Sequence, residues 1–124
     1  MGQQRGFTLI ELVVVMAMMA LLLTLALPRY FGSLNKSKDM ALQHNLKVLR
    51  VTLDQFQADK GRYPDSLHEL VEQKYLRALP QDPITESSTT WRTLGAPDRD
   101  VPGIFDVRSG APGKALDGRA YGSL

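Results

Sequence analysis

The sequence predicts an α+β fold in which one long N-terminal helix packs on a small antiparallel β-sheet. Three observations predict it: an apolar stretch at residues 7–27, leucines at helical spacing within residues 42–56, and two short C-terminal segments rich in β-branched and aromatic residues. Helices that precede strands, without alternating with them, are typical of the α+β class. Outside the apolar stretch about a hundred residues remain, enough for one small domain with a modest core.

The first element is a helix of membrane-spanning length. It reads FTLIELVVVMAMMALLLTLAL, 21 residues in which Glu11 is the single charge. An α-helix needs about 20 apolar residues to cross the hydrocarbon core of a bilayer. An ordinary secretory signal peptide fits poorly, because the stretch is too long and ends in LALP without a small-x-small cleavage site. A plain transmembrane anchor and a cleaved leader attached to a membrane helix are the other two interpretations.

Glu11 distinguishes these two interpretations. A charged side chain costs about 2.5–3.5 kcal/mol near the bilayer centre on insertion scales, and less near the end of the span, where Glu11 lies. A plain anchor gains nothing from that cost. A carboxylate inside a membrane segment indicates a function and needs a partner. The rest of the apolar stretch offers no cation, so the partner is expected to come from another molecule.

Residues 6–11, GFTLIE, resemble the cleavage and methylation signature of type IV pilins and of the pseudopilins of type II secretion systems. The resemblance implies that a membrane prepilin peptidase cuts between Gly6 and Phe7 and methylates the new α-amine of Phe7. It implies that Glu11 of one subunit meets this amine of its neighbour and sets the axial register of a filament. It also implies that the leader lies inside and the globular part outside, an orientation that the scattered basic residues do not decide.

The predicted organisation is a leader peptide at residues 1–6, a transmembrane and filament-core helix at residues 7–28, and a periplasmic α+β domain at residues 29–124. Pro28 falls where the helix of the pilin family commonly has a proline. Because proline lacks a backbone N–H, Pro28 is expected to kink the helix or to end it locally.

Beyond Pro28 an amphipathic helix is predicted to continue to about residue 59, where Lys60-Gly61 is a typical helix end. Its apolar stripe recurs at alternating spacings of four and three, which places the side chains on one helix face. We expect the stripe to pack on the chain's own domain, with a separate coiled-coil partner as the alternative. The stripe consists of Leu42, Leu46, Leu49, Leu53 and Phe56.

The remaining elements are one short helix and two strands. SLHE at residues 66–69 fits a capping box and predicts a helix from residue 65 or 66 to about residue 74. Residues 89–94 and 103–108 are predicted as strands by their β-branched and aromatic content, joined by a loop. Trp91 is expected in the core.

Residues 61–83 and 105–113 resemble the major pseudopilin of type II secretion systems, in the tyrosine-proline pair before the short helix and in the final strand with its loop. This resemblance implies a Ca²⁺ in the C-terminal loop. Calcium takes six to eight oxygen ligands, usually including more than one carboxylate. Here Gly113 stands where the family tends to have an aspartate, and Asp117 is the only acidic residue after Asp106. We therefore expect no cofactor, and a weak calcium loop at Leu116 and Asp117 is the alternative.

Other classes of function find no support in the sequence. The absence of cysteine excludes disulfides and thiolate metal sites, and the basic residues are scattered, with a net charge of only +2, which does not favour nucleic-acid binding. His44 and His68 lack a second ligand at a useful helical spacing. No nucleophile elbow and no phosphate-binding glycine loop is present. The sequence therefore predicts a protein that is not an enzyme.

The leading interpretation is a subunit of a helical pseudopilus of a type II secretion system, in the bacterial inner membrane and the periplasm. The expected partners are other copies of the chain, the prepilin peptidase, other pseudopilins and the inner-membrane assembly platform. The first alternative is a major or minor subunit of a type IV pilus, used in adhesion, motility or DNA uptake. The second is a membrane-anchored periplasmic binding domain that never polymerises.

Overall fold

The computed structural model describes residues 6–124 and has the predicted α+β architecture. Most of the leader predicted at residues 1–6 therefore lies outside the described residues. The chain divides into two compact units, one that ends at Asn35 and one formed by Lys36–Leu124. In chain order the elements are the helices α1 (Leu9–Lys60) and α2 (Leu67–Glu72), the strands β1 (Arg92–Gly95) and β2 (Ile104–Arg108), and a short 3₁₀ helix, Tyr121–Ser123.

Helix α1 continues through Pro28, so the expectation that the helix ends there is wrong, whereas a kink at Pro28 stays a prediction. The ring of Pro28 removes one backbone donor, which leaves the carbonyl of Thr24 without its helical partner. Thr24 is itself anchored in the helix, since its Oγ1 donates to the carbonyl of Ala20 over 2.8 Å. The predicted end of the helix near residue 59 is confirmed, and Gly61 follows it with a φ of +71°, a conformation that favours glycine.

The second unit has its core on the predicted stripe of α1. The five stripe residues Leu42, Leu46, Leu49, Leu53 and Phe56 are each at most 1% exposed. They pack with residues from later parts of the chain, including Leu70 of α2, Val107 of β2 and the expected core residue Trp91. The prediction that the stripe packs on the chain's own domain is confirmed. Burial of these apolar side chains is the main stabilising contribution to this unit.

Helix α2 begins as its capping signal predicts. Ser66 is the N-cap, and its side chain accepts a hydrogen bond from the backbone N–H of Glu69. The carboxylate of Glu69 accepts from the N–H of Asp65 over 2.8 Å and from Arg62 over 2.5 Å. The helix ends at Glu72, two residues before the predicted end, because Lys74 adopts a left-handed backbone conformation with a φ of +64°.

Strands β1 and β2 form a two-stranded antiparallel sheet, in which Arg92 pairs with Arg108 and Thr93 with Val107. The second strand is confirmed within one residue. The predicted start of the first strand at residue 89 is wrong, since β1 begins only at Arg92. The indole N–H of Trp91 donates to the carbonyl of Pro80 over 2.8 Å. Before it, hydroxyl hydrogen bonds join Ser87 to Thr89 and Thr85 to Thr90, in a segment of turns and bends.

Candidate functional site

The first unit presents an apolar surface in which Glu11 is the single charged residue, here called the apolar helix surface and formed by residues 9–27 of α1. Its large apolar side chains are solvent-exposed, from 79% at Leu9 to 45% at Val14. The most apolar 18-residue window of α1 has a mean hydropathy of 2.6, and none of it is buried. Exposure of this much apolar surface to water is unfavourable. By length and composition this part of α1 can cross a membrane.

Glu11 lies on the apolar helix surface, in the first turn of α1. Phe7, Ile10, Val14 and Met18 surround it and line a shallow groove with almost no other polar atoms. The first turn of a helix carries free N–H groups and the positive end of the helix dipole, and both favour a carboxylate. The position of Glu11 therefore lowers the cost of keeping a charge among apolar groups.

Thr8 and Glu11 form a reciprocal capping box. The N–H of Glu11 donates to Oγ1 of Thr8 over 3.2 Å, and the N–H of Thr8 donates to Oε2 of Glu11 over 3.4 Å. The second bond is long, so it stabilises the carboxylate only weakly. Among the described hydrogen bonds only Oε2 of Glu11 has a donor, and the residue is exposed and lines the groove. Glu11 can therefore accept a further donor without breaking the cap of its own helix.

The role of Thr8 was missed in the sequence analysis, although a signal for it exists. Threonine followed three residues later by glutamate, at the start of an apolar run, is the pattern of a capping box. In TLIE the same two residues also belong to the processing signature that residues 6–11 resemble. Thr8 joins Glu11 as a residue of the site because it fixes where the helix begins.

Gly6 and Phe7 precede α1 and lie outside any regular element. Phe7 is 90% exposed, and a side chain added at Gly6 would meet no atom within 4 Å. A peptide bond that is free of helical hydrogen bonds can be fitted into a peptidase in an extended conformation. The geometry is thus compatible with cleavage between these two residues, and cleavage and methylation stay predictions.

The C-terminal residues Leu116 and Asp117 lie in a tight loop. Oδ1 of Asp117 accepts from the N–H of Arg119 over 3.0 Å, and Oδ2 lies 2.7–2.8 Å from two guanidinium nitrogens of Arg119. This guanidinium lowers the pKa of Asp117. The N–H of Leu116 donates to Asp39, a residue of α1, over 2.8 Å.

This loop does not fit the calcium ion that the family resemblance implies. Both oxygens of Asp117 already accept hydrogen bonds from Arg119, Oδ1 from its backbone N–H and Oδ2 from its guanidinium. The positive charge of that guanidinium disfavours a second cation at the same carboxylate. Within residues 6–124 no three acidic or histidine side chains come close enough together to hold a metal ion.

Comparison with known proteins places these features in a family. Residues 1–27 match the model of the prokaryotic N-terminal methylation motif. The chain is 34% identical, over 99 residues, to type II secretion system core protein G of Klebsiella pneumoniae, and the match covers 67% of this chain and 71% of that protein. The protein of the same name from Klebsiella michiganensis is 32% identical over 96 residues, covering 64% of this chain and 68% of that protein.

A third relative comes from a different filament system. The type IV major pilin protein PilA of Myxococcus xanthus is 37% identical over 68 residues, which cover 55% of this chain but only 31% of that protein. No solved structure matches this chain. Because the two Klebsiella core protein G relatives are more than 30% identical and are matched over two thirds or more of their length, the chain belongs to the family of type II secretion system core protein G, the major pseudopilins.

Proposed function

We propose that this chain is a structural, non-catalytic subunit that polymerises into the pseudopilus of a type II secretion system. The filament grows from the inner membrane into the periplasm and drives protein export. Before assembly the subunit is held in the inner membrane by the first part of α1, with the second unit in the periplasm. A prepilin peptidase removes the leader after Gly6 and methylates Phe7.

The observation that carries this proposal is the apolar helix surface with one carboxylate at its start. In the membrane, lipid covers this surface; in a filament, the same surface of neighbouring subunits replaces the lipid. Helix association in either environment depends on close packing of side chains and on the few polar groups present. Glu11 carries the only charged side chain within residues 7–27, so it can give the packing a defined register.

Cleavage supplies the partner that Glu11 needs. It creates an α-amine at Phe7, whose ordinary pKa of about 7.7–8.0 makes it largely cationic near neutral pH. An ion pair in apolar surroundings is strongly destabilised when only one partner is present. A subunit that docks out of register along the filament axis leaves the α-amine of Phe7 and the carboxylate of Glu11 without partners. In the correct register the two groups pair. The pair therefore selects the register of assembly.

The type IV pilus subunit is the second candidate function, favoured by the similarity to PilA. That similarity extends over only 31% of the pilin, whereas the core protein G of Klebsiella pneumoniae is covered over 71%. The pseudopilus is therefore the better supported proposal.

The proposal is tested by cysteine crosslinking in the native host, for which the absence of cysteine from the chain gives a clean background. One cysteine is fixed at Met16, and the second is moved along residues 21–27. Neighbouring subunits offset along a filament axis give a ladder of disulfide-linked multimers for some pairs. An anchor that never polymerises gives no ladder for any pair. Loss of exoprotein secretion on deletion of the gene, with twitching unchanged, distinguishes the pseudopilus from a pilus.

A further inference from the structure

Asp39 occupies a position of the apolar stripe of α1. The spacing of the stripe, extended one step toward the N-terminus from Leu42, leads to Asp39, which is only 7% exposed. A buried carboxylate needs hydrogen-bond donors or a cation, because burial without them costs several kcal/mol. Lys36 lies in the same part of α1, but it forms no ion pair with Asp39 among the ion pairs of the described residues.

Asp39 obtains its donors from the C-terminal segment, here defined as residues 111–124. Oδ2 accepts from the backbone N–H of Leu116 over 2.8 Å, and Oδ1 accepts from the hydroxyl of Tyr121 over 2.7 Å. The two bonds span sequence separations of 77 and 82 residues. Each carboxylate oxygen thus holds one side of the same loop. Hydrogen bonds to an ionised acceptor contribute more than neutral ones.

The loop between these two contacts is closed by its own backbone. The N–H of Tyr121 donates to the carbonyl of Gly113 over 3.1 Å, and the N–H of Ala115 donates to the carbonyl of Arg119 over 2.8 Å. Gly113 and Gly118 have φ values of +91° and +88°, which a side chain would make unfavourable. At the tip of the loop the carboxylate of Asp117 is paired with the guanidinium of Arg119. Asp117 is the acidic side chain that could otherwise bind a cation there.

We propose that the Asp39 carboxylate, together with the Asp117–Arg119 pair, orders the C-terminal segment in place of a bound divalent cation. The folded second unit is then independent of calcium. Asp39 supplies from α1 the negative charge around which the loop closes, and the donors are groups of the loop itself. Arg119 supplies the positive charge that a Ca²⁺ ion would supply at Asp117. The inference concerns the stability of the subunit and does not depend on its assembly into a filament.

The first test is thermal unfolding of the full chain in detergent micelles, followed by the fluorescence of Trp91, the single tryptophan. Samples contain EDTA, Mg²⁺ or Ca²⁺. We expect the same Tm in all three. A calcium site with a Kd of about 10⁻⁴ M would, at a hundredfold excess of Ca²⁺, raise Tm by about 10 °C or more. A rise of that size that is specific to Ca²⁺ would overturn the proposal.

The second test measures amide hydrogen exchange of the C-terminal segment in the same micelles. Replacement of Asp39 by alanine removes the acceptor of both bonds, so exchange at Leu116 should accelerate at least tenfold, with EDTA and with Ca²⁺ alike. The matched control is Asp54→Ala, which removes an exposed carboxylate from the same helix and should leave this exchange unchanged. Tyr121→Phe removes one bond only and gives an intermediate effect even if Asp39→Ala fails to fold. Unchanged exchange in Tyr121→Phe, or recovery of protection by Ca²⁺, would contradict the role of Asp39.

Discussion

Arg50 of α1 and Asp106 of β2 form an ion pair, with 2.8 Å between Nε of Arg50 and Oδ1 of Asp106. The guanidinium also donates from Nη2 to the carbonyl of Val107 over 3.0 Å. The same side chain thus bonds to two successive residues of β2 and fixes the strand against the helix. Both side chains are partly exposed, so the ion pair itself is screened by solvent, whereas the bond to the carbonyl fixes the backbone of the strand.

Replacement of Arg50 by methionine is therefore expected to reduce the free energy of unfolding by about 1–3 kcal/mol, because the bonds lost are made by a charged donor. The measurement is denaturant unfolding of the full chain in micelles, with Trp91 as the probe. In a double-mutant cycle with Asp106→Asn, the coupling energy should be about 0.2–1 kcal/mol, the range of partly exposed pairs. A coupling of zero together with an unchanged stability of Arg50→Met would show that the contact does not stabilise the fold.

Leu49 lies at the centre of the stripe and is 0% exposed, while Val51, two residues away on the same helix, is 57% exposed. Leu49→Ala should destabilise the second unit by about 2–5 kcal/mol, since it removes buried methyl groups and leaves a cavity. Val51→Ala is the matched control and should change stability by at most about 0.5 kcal/mol. Similar losses in both variants, measured by thermal unfolding, would contradict the assignment of the buried face.

Glu69 gives a pH-dependent contribution to stability. Arg62, whose guanidinium lies 2.5 Å from Oε1 of Glu69, lowers the pKa of this carboxyl, and the N–H of Asp65 lowers it further. A lowered pKa in the folded state stabilises the protein above the ordinary glutamate pKa of about 4.3, and this contribution is lost as the pH falls through the folded-state value. Glu69→Gln should therefore be less stable than the wild type at neutral pH, and the difference should shrink in acid.

The control for this experiment is Glu72→Gln. Glu72 is exposed, and its Oε1 lies 3.5 Å from Nε2 of His68. Because this pair is exposed, Glu72→Gln should cost less stability at neutral pH than Glu69→Gln. A difference between Glu69→Gln and the wild type that stays constant from neutral pH to acid would exclude the effect of ionisation and leave only a loss of helix capping.

The elements that the sequence predicted correctly are those determined by local pattern. The stripe from Leu42 to Phe56 specifies both the helix and its buried face, and the sequence SLHE specifies the start of α2, because spacing and capping act within a few residues. The start of β1 was not predictable in this way. Trp91, the residue before β1, donates its indole N–H to the distant carbonyl of Pro80, and strand propensity alone carries no information about such a contact.

The polar contacts of the second unit show the same limit. Asp39 breaks the apolar pattern of the stripe, and that break is visible in the sequence, but its donors Leu116 and Tyr121 lie 77 and 82 residues away. Arg50 likewise lies beside the stripe, where a basic residue gives no sign of a tertiary contact. Its partner, Asp106, is 56 residues away. A sequence can mark a buried polar residue, whereas the partner that satisfies it follows from the tertiary fold.

The pKa of Tyr121 depends on its hydrogen bond to Asp39. The hydrogen bond to this carboxylate, and then burial, raise the pKa of Tyr121 from 10.0 to about 12, because ionised tyrosine would lose the bond and face a negative charge. A raised pKa in the folded state contributes stability that is fully present below pH 10 and is lost as the pH rises toward 12. The ultraviolet titration of the wild type minus that of Tyr121→Phe should therefore show one tyrosine that ionises well above the ordinary value.

Asp39→Asn keeps the size of the side chain and removes its charge. It should shift this component of the titration back toward 10, the ordinary value for tyrosine. Tyr75, whose pKa is also raised, by its bond to Asp59, is the internal control, because it should titrate identically in both backgrounds. If the difference titration instead had its midpoint near 10 in the wild type, the hydroxyl of Tyr121 would not be bonded to Asp39 in solution. The C-terminal segment would then lack one of its two contacts with that carboxylate.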